Sequence, residues 1–292
     1  MRAGVDIGGT KTEAVALADD GTVLDRVRIP TGFGAESVIA AAASVLDSLA
    51  AAVGPFASVG VGVPGAVDPA TGVVSHALNL GVPRLALAGE LGARVGYPVH
   101  VENDVNAAAI GAFHVLGLGA HESMAYLNLG TGLAAGIVID GRLWRGARGG
   151  AGEIGHILVD PAGPLDLDGT PGGLEVVASG SGIARQWGAD AASMLAAADA
   201  GDERARGIRS RFFEGVATAA RVLVLTVDVD TVVIGGGLAQ LGSVLTEGID
   251  TVFARWGASS AFVASLDLPG RVRVLAGDDP VAALGAAHLG GA

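Results

Sequence analysis

At residues 98–104 an apolar stretch, PVHV, runs into three successive polar residues, Glu102, Asn103 and Asp104, and the alanine-rich segment after them reads as a helix. One Asn or Asp suffices to cap a helix, so the run exceeds what capping needs. A carboxylate here can accept the proton of an attacking hydroxyl that comes within hydrogen-bond reach, which makes Asp104 the candidate general base. A second motif, DIGGTKTE from Asp6, carries Gly8 and Gly9 after a strand-like stretch, where backbone amides can face an anion with no Cβ in the way. Thr10 and Lys11 add a hydroxyl and a point charge. Asp6 alone would repel phosphate, but with hydrated magnesium between them it becomes a holder of metal-bound water. In isolation the motif reads equally well as an ordinary glycine-rich hairpin.

NLGTGLAAG repeats the arrangement at 128–136 and offers the amides of Gly130, Thr131 and Gly132, so that two facing turns would make a phosphate clamp. A duplicated hairpin that only preserves a fold competes with that reading, yet the repeat falls at the Gly/Thr turn, where strand packing does not demand it. Glu153 and His156 lie three residues apart in the glycine-dense GGAGEIGH. A lone His more often serves as a surface or core hydrogen-bonding residue, but His beside a carboxylate amid glycines suits recognition of sugar hydroxyls. Glu175, in GGLE, is a third candidate. The strand VVIGGGLAQ breaks at Gly235, Gly236 and Gly237, which would let a flat nucleobase approach the backbone; alone it could be any strand-to-helix turn.

The elements that must position these residues follow from pattern. Ala3 to Arg28 reads as a three-stranded meander, 35–53 as a helix with apolar Val38, Ala42, Val45 and Leu49, and SVGVGVPGAVD as a buried strand ended by Pro64 and Gly65. A helix over 85–96, a strand over 98–102 and the helix opening at Asn103 come next. The pattern then restarts: Asp6, Gly8, Val15 and Leu17 answer to Asn128, Gly130, Ile137 and Ile139 at an offset of 122 residues, and the Asp20–Gly21 turn answers to Asp140–Gly141 at 120. Such duplication implies two like-folded lobes. A glycine-rich loop to about Gly182, helices, the strand at 230–240, the strand RVRVL and a terminal helix from Pro280 complete an α/β pattern with mixed sheets. The expected lobes are 1–118 with 278–292, and 119–277, hinged at 117–120.

Composition narrows the function classes. Half of the 292 residues are apolar, enough for one large core or two modest ones. A net charge of -12 disfavours a broad electrostatic grip on nucleic acid or anionic lipid, so a phosphate ligand must be held by local contacts. With no cysteine, neither a disulfide nor a thiolate metal site can form. The opening MRAGVDIGGT shows no charged leader or cleavage site, and runs such as VATAARVLVLTV are broken by Arg before bilayer length, so a cytoplasmic protein without a membrane span is expected. Lys11 is the single lysine of the chain.

Taken in order, DIGGTK, ENDVNAA, LGTG, GEIGH, GLE and IGGG resemble the ROK family of bacterial sugar kinases, sugar-responsive repressors and related proteins, over nearly the whole chain. The resemblance implies an actin/hexokinase-like ATPase fold of two ribonuclease H-like lobes with ATP and magnesium in the cleft between them. It implies phosphorylation of a hexose, glucose first, with N-acetylglucosamine or N-acetylmannosamine as alternatives and polyphosphate as an alternative donor. By position Asp104 looks like the catalytic Asp. Asn79, Asn103, Glu153, His156 and Glu175 look like sugar contacts, and Asp6, Gly8, Gly9, Thr10, Lys11, Gly130, Thr131 and Gly132 like the phosphate-binding turns, with Gly235 to Gly237 at the nucleotide. A homodimer is expected by the same analogy. A repressor would need a helix-turn-helix ahead of DIGGTK, where five residues precede Asp6. A catalytically silent sugar-binding protein would not need Asp104 together with both turns.

Two departures stand out. Many family members hold zinc with the His of GxxGH and three downstream cysteines, and here Asp166, Asp168 and Gly173 take the cysteine places, so no zinc is expected, the loop should be ordered by packing, and the two carboxylates should be exposed and solvated. A Trp that often follows the equivalent of Asn79 is missing, which leaves sugar preference less legible.

Overall fold

The computed structural model describes residues 1–166, 169, 171–275 and 277–289. In chain order, the first half forms β1 (Arg2–Ile7), β2 (Lys11–Leu17), β3 (Val23–Pro30), α1 (Ala35–Val53), β4 (Val59–Val63), β5 (Ala66–Asp68), β6 (Val73–Ala77), β7 (Val82–Leu85), α2 (Leu87–Val95), β8 (Val99–Asn103) and α3 (Asp104–Val115). The second half continues with β9 (Met124–Leu129), β10 (Leu133–Ile139), β11 (Arg142–Leu143), α4 (Leu174–Ala178), α5 (Gly180–Trp187), α6 (Ala191–Asp199), α7 (Glu203–Val227), β12 (Thr231–Gly235), α8 (Ser243–Ser259), α9 (Ala261–Ser265), α10 (Leu268–Arg271), β13 (Val272–Val274) and α11 (Val281–Leu289).

Two five-stranded sheets have the orders β3-β2-β1-β4-β8 and β11-β10-β9-β12-β13. They match place for place, so the duplication read from one hairpin extends to a whole sheet. In the first, β1 and β2 pair antiparallel and β4 and β8 follow in parallel; in the second, β12 lies parallel to both β9 and β13. Central strands buried on both faces read as near-continuous apolar runs, and β4, VGVGV, is buried throughout. The chain divides into two compact units, Met1–His121 with Gly136–Ala151 and Asp279–Ala292, and Glu122–Ala135 with Gly152–Asp278.

In the first unit, α1 packs on β2 and β3 through Val38, Ala42, Val45, Leu46 and Leu49. This helix is long and apolar enough to cross a membrane by length and composition, and those residues are instead buried in the core. On the other face of the sheet, α11 lies against β1, β2, β4 and α3, with Ala283, Leu284 and Ala287 clustered on Val15 and Leu17. The approach is backbone to backbone: a Cβ at Gly60 would stand 1.7 Å from the Ala286 carbonyl oxygen.

Two expectations need correction. The small antiparallel sheet β5-β6-β7 has no counterpart in the sequence reading. The region taken as loop up to Gly182 contains α4 and the start of α5, because Ser179 caps α5 by accepting from the Gly182 amide at 3.0 Å. Among the described residues between 157 and 174, backbone hydrogen bonds run from Val159 to Gly172 at 2.9 Å, from Gly172 to Pro164 at 2.8 Å and from Leu174 to Ile157 at 2.9 Å. The Leu158 and Leu165 side chains are exposed.

Candidate functional site

In the first unit, Asp6 is the last residue but one of β1 and pairs in register with Glu13 on β2 and Gly62 on β4. Asp104 is the first residue of α3, directly after β8. Gly62 permits that placement, since a Cβ there would stand 3.5 Å from the Asp104 Cα and 3.1 Å from the Ala107 Cβ. Burial pushes the Asp6 carboxyl up to about 7, the charges of Asp104 and Glu13 push the same way, and Lys11 and Arg28 oppose them. Asp6, Asp104 and Lys11 therefore share one electrostatic neighbourhood.

The capping role falls to Asn103. Its Oδ1 accepts from the amides of Val105 at 2.9 Å and Asn106 at 3.2 Å, while its Nδ2 donates to the Gly65 carbonyl at 3.2 Å. Those bonds use one of two amide protons, leaving the other for a ligand. The β1–β2 turn is closed by the Gly8 amide on the Lys11 carbonyl at 2.9 Å, and the Thr31 hydroxyl braces it by donating to the Gly8 carbonyl at 2.7 Å. Among the described residues, the N–H groups of Gly9 and Thr10 make no hydrogen bond within the chain, and Gly9, Thr10 and Lys11 are exposed. Asn79 lies over this turn, with its Nδ2 3.4 Å from where a Gly9 Cβ would be.

The second unit carries the matching turn. The Gly130 amide donates to the Gly132 carbonyl at 3.1 Å, and the carbonyls of Gly130 and Thr131 accept from Gly180 and Ser181 at the start of α5, at 2.9 and 3.1 Å. Among the described residues, the amides of Thr131 and Gly132 make no hydrogen bond within the chain. Each turn thus presents two successive N–H groups, the arrangement of a backbone anion nest. Glu175, in the first turn of α4, accepts from the Leu133 amide at 3.0 Å, and its carboxylate would stand 2.8 Å from a Cβ on Gly132 and 3.5 Å from one on Gly155. It braces both the turn and the single 3-10 turn Ile154–His156, which is flanked by the exposed Glu153 and ends in the exposed His156. Of the three glycines that begin with the last residue of β12, Gly235 packs on the Tyr126 ring, Gly236 sits at φ 85° against the Leu129 carbonyl, and Gly237 faces open space. Asp166 is half-buried, not exposed, and lies 4.0 Å from where a Gly173 Cβ would be; Asp168 lies outside the described residues.

Sequence reasoning gave Glu102 no role and did not single out Arg145. The two form an ion pair at 2.7 Å. Arg145 stands 43 residues away along the chain and belongs to no recognisable motif, so only topology could pair them.

The ROK family profile matches residues 2–290. The chain belongs to the ROK family. This ROK protein is 34% identical over 269 residues to the glucokinase of Thermotoga maritima, covering 83% of each chain. It is 33% identical over 248 residues to the N-acetylmannosamine kinase of Escherichia coli O157:H7, covering 81% of this chain and 83% of the other. It superposes on the crystal structure of a ROK family glucokinase from Streptomyces griseus in complex with glucose and AMPPNP with a TM-score of 0.80 at 28% identity, covering 99% and 98% of the two chains. The fold of this ROK protein is accordingly actin/hexokinase-like.

The raised Asp6 makes a stability prediction. Its folded value near 7 exceeds the unfolded 3.8, so the fold favours the protonated form, and stability is lost as pH rises from about 4 through 7. Asp6→Asn is therefore expected to raise Tm relative to wild type most at pH 8, less at pH 6, and not at all near pH 4. A Tm difference that stays constant from pH 5 to 8 would show that Asp6 does not titrate in that range.

Proposed function

We propose that this ROK protein transfers the γ-phosphoryl group of ATP to the 6-hydroxyl of a hexose, with glucose as the preferred acceptor. The observation that carries the reading is the Asp104 carboxyl at the start of α3, in the electrostatic neighbourhood of Asp6 and the Gly8–Lys11 turn. Similarity to proteins named glucokinase, and to a structure holding glucose and AMPPNP, supports the same chemistry.

Asp104 accepts the proton of the sugar hydroxyl as its oxygen attacks phosphorus, which is the task of the base in phosphoryl transfer. Lys11 and the unbonded amides of Gly9, Thr10, Thr131 and Gly132 donate to phosphate oxygens, where charge is spread in the transition state. Asn79, Glu153, His156, Glu175 and the remaining Asn103 amide proton serve the sugar hydroxyls, and the open face at Gly237 suits the adenine. Among the described residues no group of three or more His, Asp or Glu could hold a metal. The crowded carboxylates Asp6 and Asp104 nevertheless fit a hydrated magnesium, which takes one or two protein carboxylates beside nucleotide phosphates. Bound magnesium would supply charge neutralisation on those phosphates, and Asp6 would hold it through water.

N-acetylmannosamine is the second reading, favoured by the similarity to a kinase named for it. ADP release measured with ATP and a panel of glucose, N-acetylglucosamine and N-acetylmannosamine tests both. Glucose is expected to give the highest kcat/KM, at least tenfold above the N-acetylated sugars. The reverse order would make this an N-acetylhexosamine kinase, and sugar binding without any ADP release would end the kinase reading.

A further inference from the structure

We propose that Glu102 and Arg145 form a positioning pair that fixes Asn103 and Asp104 for catalysis. The inference rests on the kinase reading above for its kinetic consequence, and on geometry alone for its structural part. The Glu102 side chain is 4% exposed, so its charge needs partners on both oxygens. It has them. Oε2 accepts from Arg145 Nε at 2.7 Å, and Oε1 accepts from the Asn103 backbone amide at 2.9 Å and from Asn106 Nδ2 at 3.0 Å.

Asn103 ends β8 and Asn106 lies in the first turn of α3, so a single carboxylate ties the strand end to the helix start. Asp104 lies between the two tied residues. Asn103 caps the same turn through its own side chain, which leaves the chain between residues 102 and 106 held at each end and in the middle. A cap alone would order the helix; the second set of bonds, from Glu102, fixes where its first residue points. Placement matters here, because a displacement of about 1 Å at a reacting group can cost roughly 100-fold in rate.

Arg145 supplies the charge from a different part of the chain. It follows β11, where the Trp144 amide donates to the Ile137 carbonyl at 2.8 Å, and the same stretch leads seven residues on into Gly152 and then Glu153. Its side chain is 37% exposed, so the guanidinium reaches inward from the surface to a carboxylate that has none. A planar guanidinium directed through Nε cannot be replaced in kind by a lysine ammonium, which keeps the charge and loses the fixed direction.

The test compares wild type, the Glu102→Gln/Arg145→Met double variant and Arg145→Lys. The double variant removes both charges together, so no unpaired buried charge remains, and Asn103 can still cap α3. Three measurements are made: Tm, steady-state kcat with KM for ATP and sugar, and amide hydrogen exchange at Asn103, Val105 and Asn106. For the double variant we expect Tm within a few degrees of wild type, KM for ATP within twofold, and kcat lower by 30-fold or more. Exchange at the three amides should rise at least tenfold. Arg145→Lys should lose less, 3- to 10-fold in kcat.

A purely structural pair would lower Tm and leave kcat of the folded fraction unchanged. A kcat within twofold of wild type in both variants, with unchanged exchange, overturns the proposal; if the double variant does not fold, Arg145→Lys alone decides by the same criterion. If wild type itself shows no sugar-dependent ADP release, the kinase reading has failed separately, and hydrogen exchange still decides whether the pair fixes residues 103–106.

Discussion

Asp104→Asn is expected to lower kcat by about 100- to 10,000-fold while leaving sugar affinity within a few-fold of wild type. The substitution keeps size and shape and removes the group that accepts the proton, a contribution of about 100- to 10,000-fold for a positioned base. The fold should tolerate it. Asn103, not Asp104, caps α3, and the Asp104 side chain accepts from the Val105 amide at 3.0 Å, a bond that the asparagine oxygen can also accept. The proposed sugar contacts lie on other residues, so affinity has no strong reason to fall. The loss also lifts a negative charge from beside Asp6, which should bring the Asp6 carboxyl down from its raised value and move the pH dependence of Tm with it. Calorimetric sugar binding together with steady-state turnover checks the expectation. Turnover close to wild type removes Asp104 from the role of base. Intact turnover with lost sugar affinity would make it a binding residue instead.

Legibility in the sequence followed the range of each interaction. The β1–β2 and β9–β10 turns were readable because their determinants are contiguous: glycines after an apolar strand, repeated at a fixed offset. The full matching of the two sheets was only hinted at, since β12 and β13 resemble β4 and β8 in order and not in residues. The sheet β5-β6-β7 was missed because its strands are three to five residues long and carry Ser75, His76, Pro83 and Arg84 where alternation would be needed. Glycines hid α4 and α5, yet Ser179 three residues before Gly182 was a capping signal in plain view. The Asn103 side chain was a different case: its position at the strand end marked it as a ligand candidate, and the structure shows it also serving as the cap. For the loop that lacks cysteines, sequence could say what was missing and not what took its place. Among its described residues, Val159 bonds to Gly172 and Gly172 to Pro164 through the backbone, which no side-chain pattern encodes.

Gly285→Ala is expected to be among the most damaging single changes in the first unit, although alanine is the better helix former by about 1 kcal/mol. The reason is the route by which α11 docks. A Cβ at Gly285 would stand 1.7 Å from the Ala107 carbonyl oxygen and 2.6 Å from the Gly111 nitrogen, and a Cβ at Gly111 would meet the Val281 carbonyl oxygen at 1.8 Å. The obstacles are backbone atoms of α3, which no rotamer change can move aside, so the two helices must separate. Separation would open the cluster of Val15, Leu17, Ala283, Leu284 and Ala287 beneath α11 and strain the matching contacts at Gly4 and Gly60. Overpacking a tight core costs about 1–3 kcal/mol, and here backbone is the obstacle, so we expect a loss of about 3 kcal/mol or more. Because α3 begins with Asp104, kcat should fall as well. Gly207→Ala provides the opposite sign in the same background: within α7 its nearest neighbour is the flexible end of Arg211 at 3.6 Å, so the added methyl should raise stability by roughly 0.5–1 kcal/mol. Thermal unfolding of the two variants separates propensity from packing directly. A Gly285→Ala protein as stable as wild type would mean that α11 does not rest on α3 through its backbone, and the position of Asp104 would then need another support.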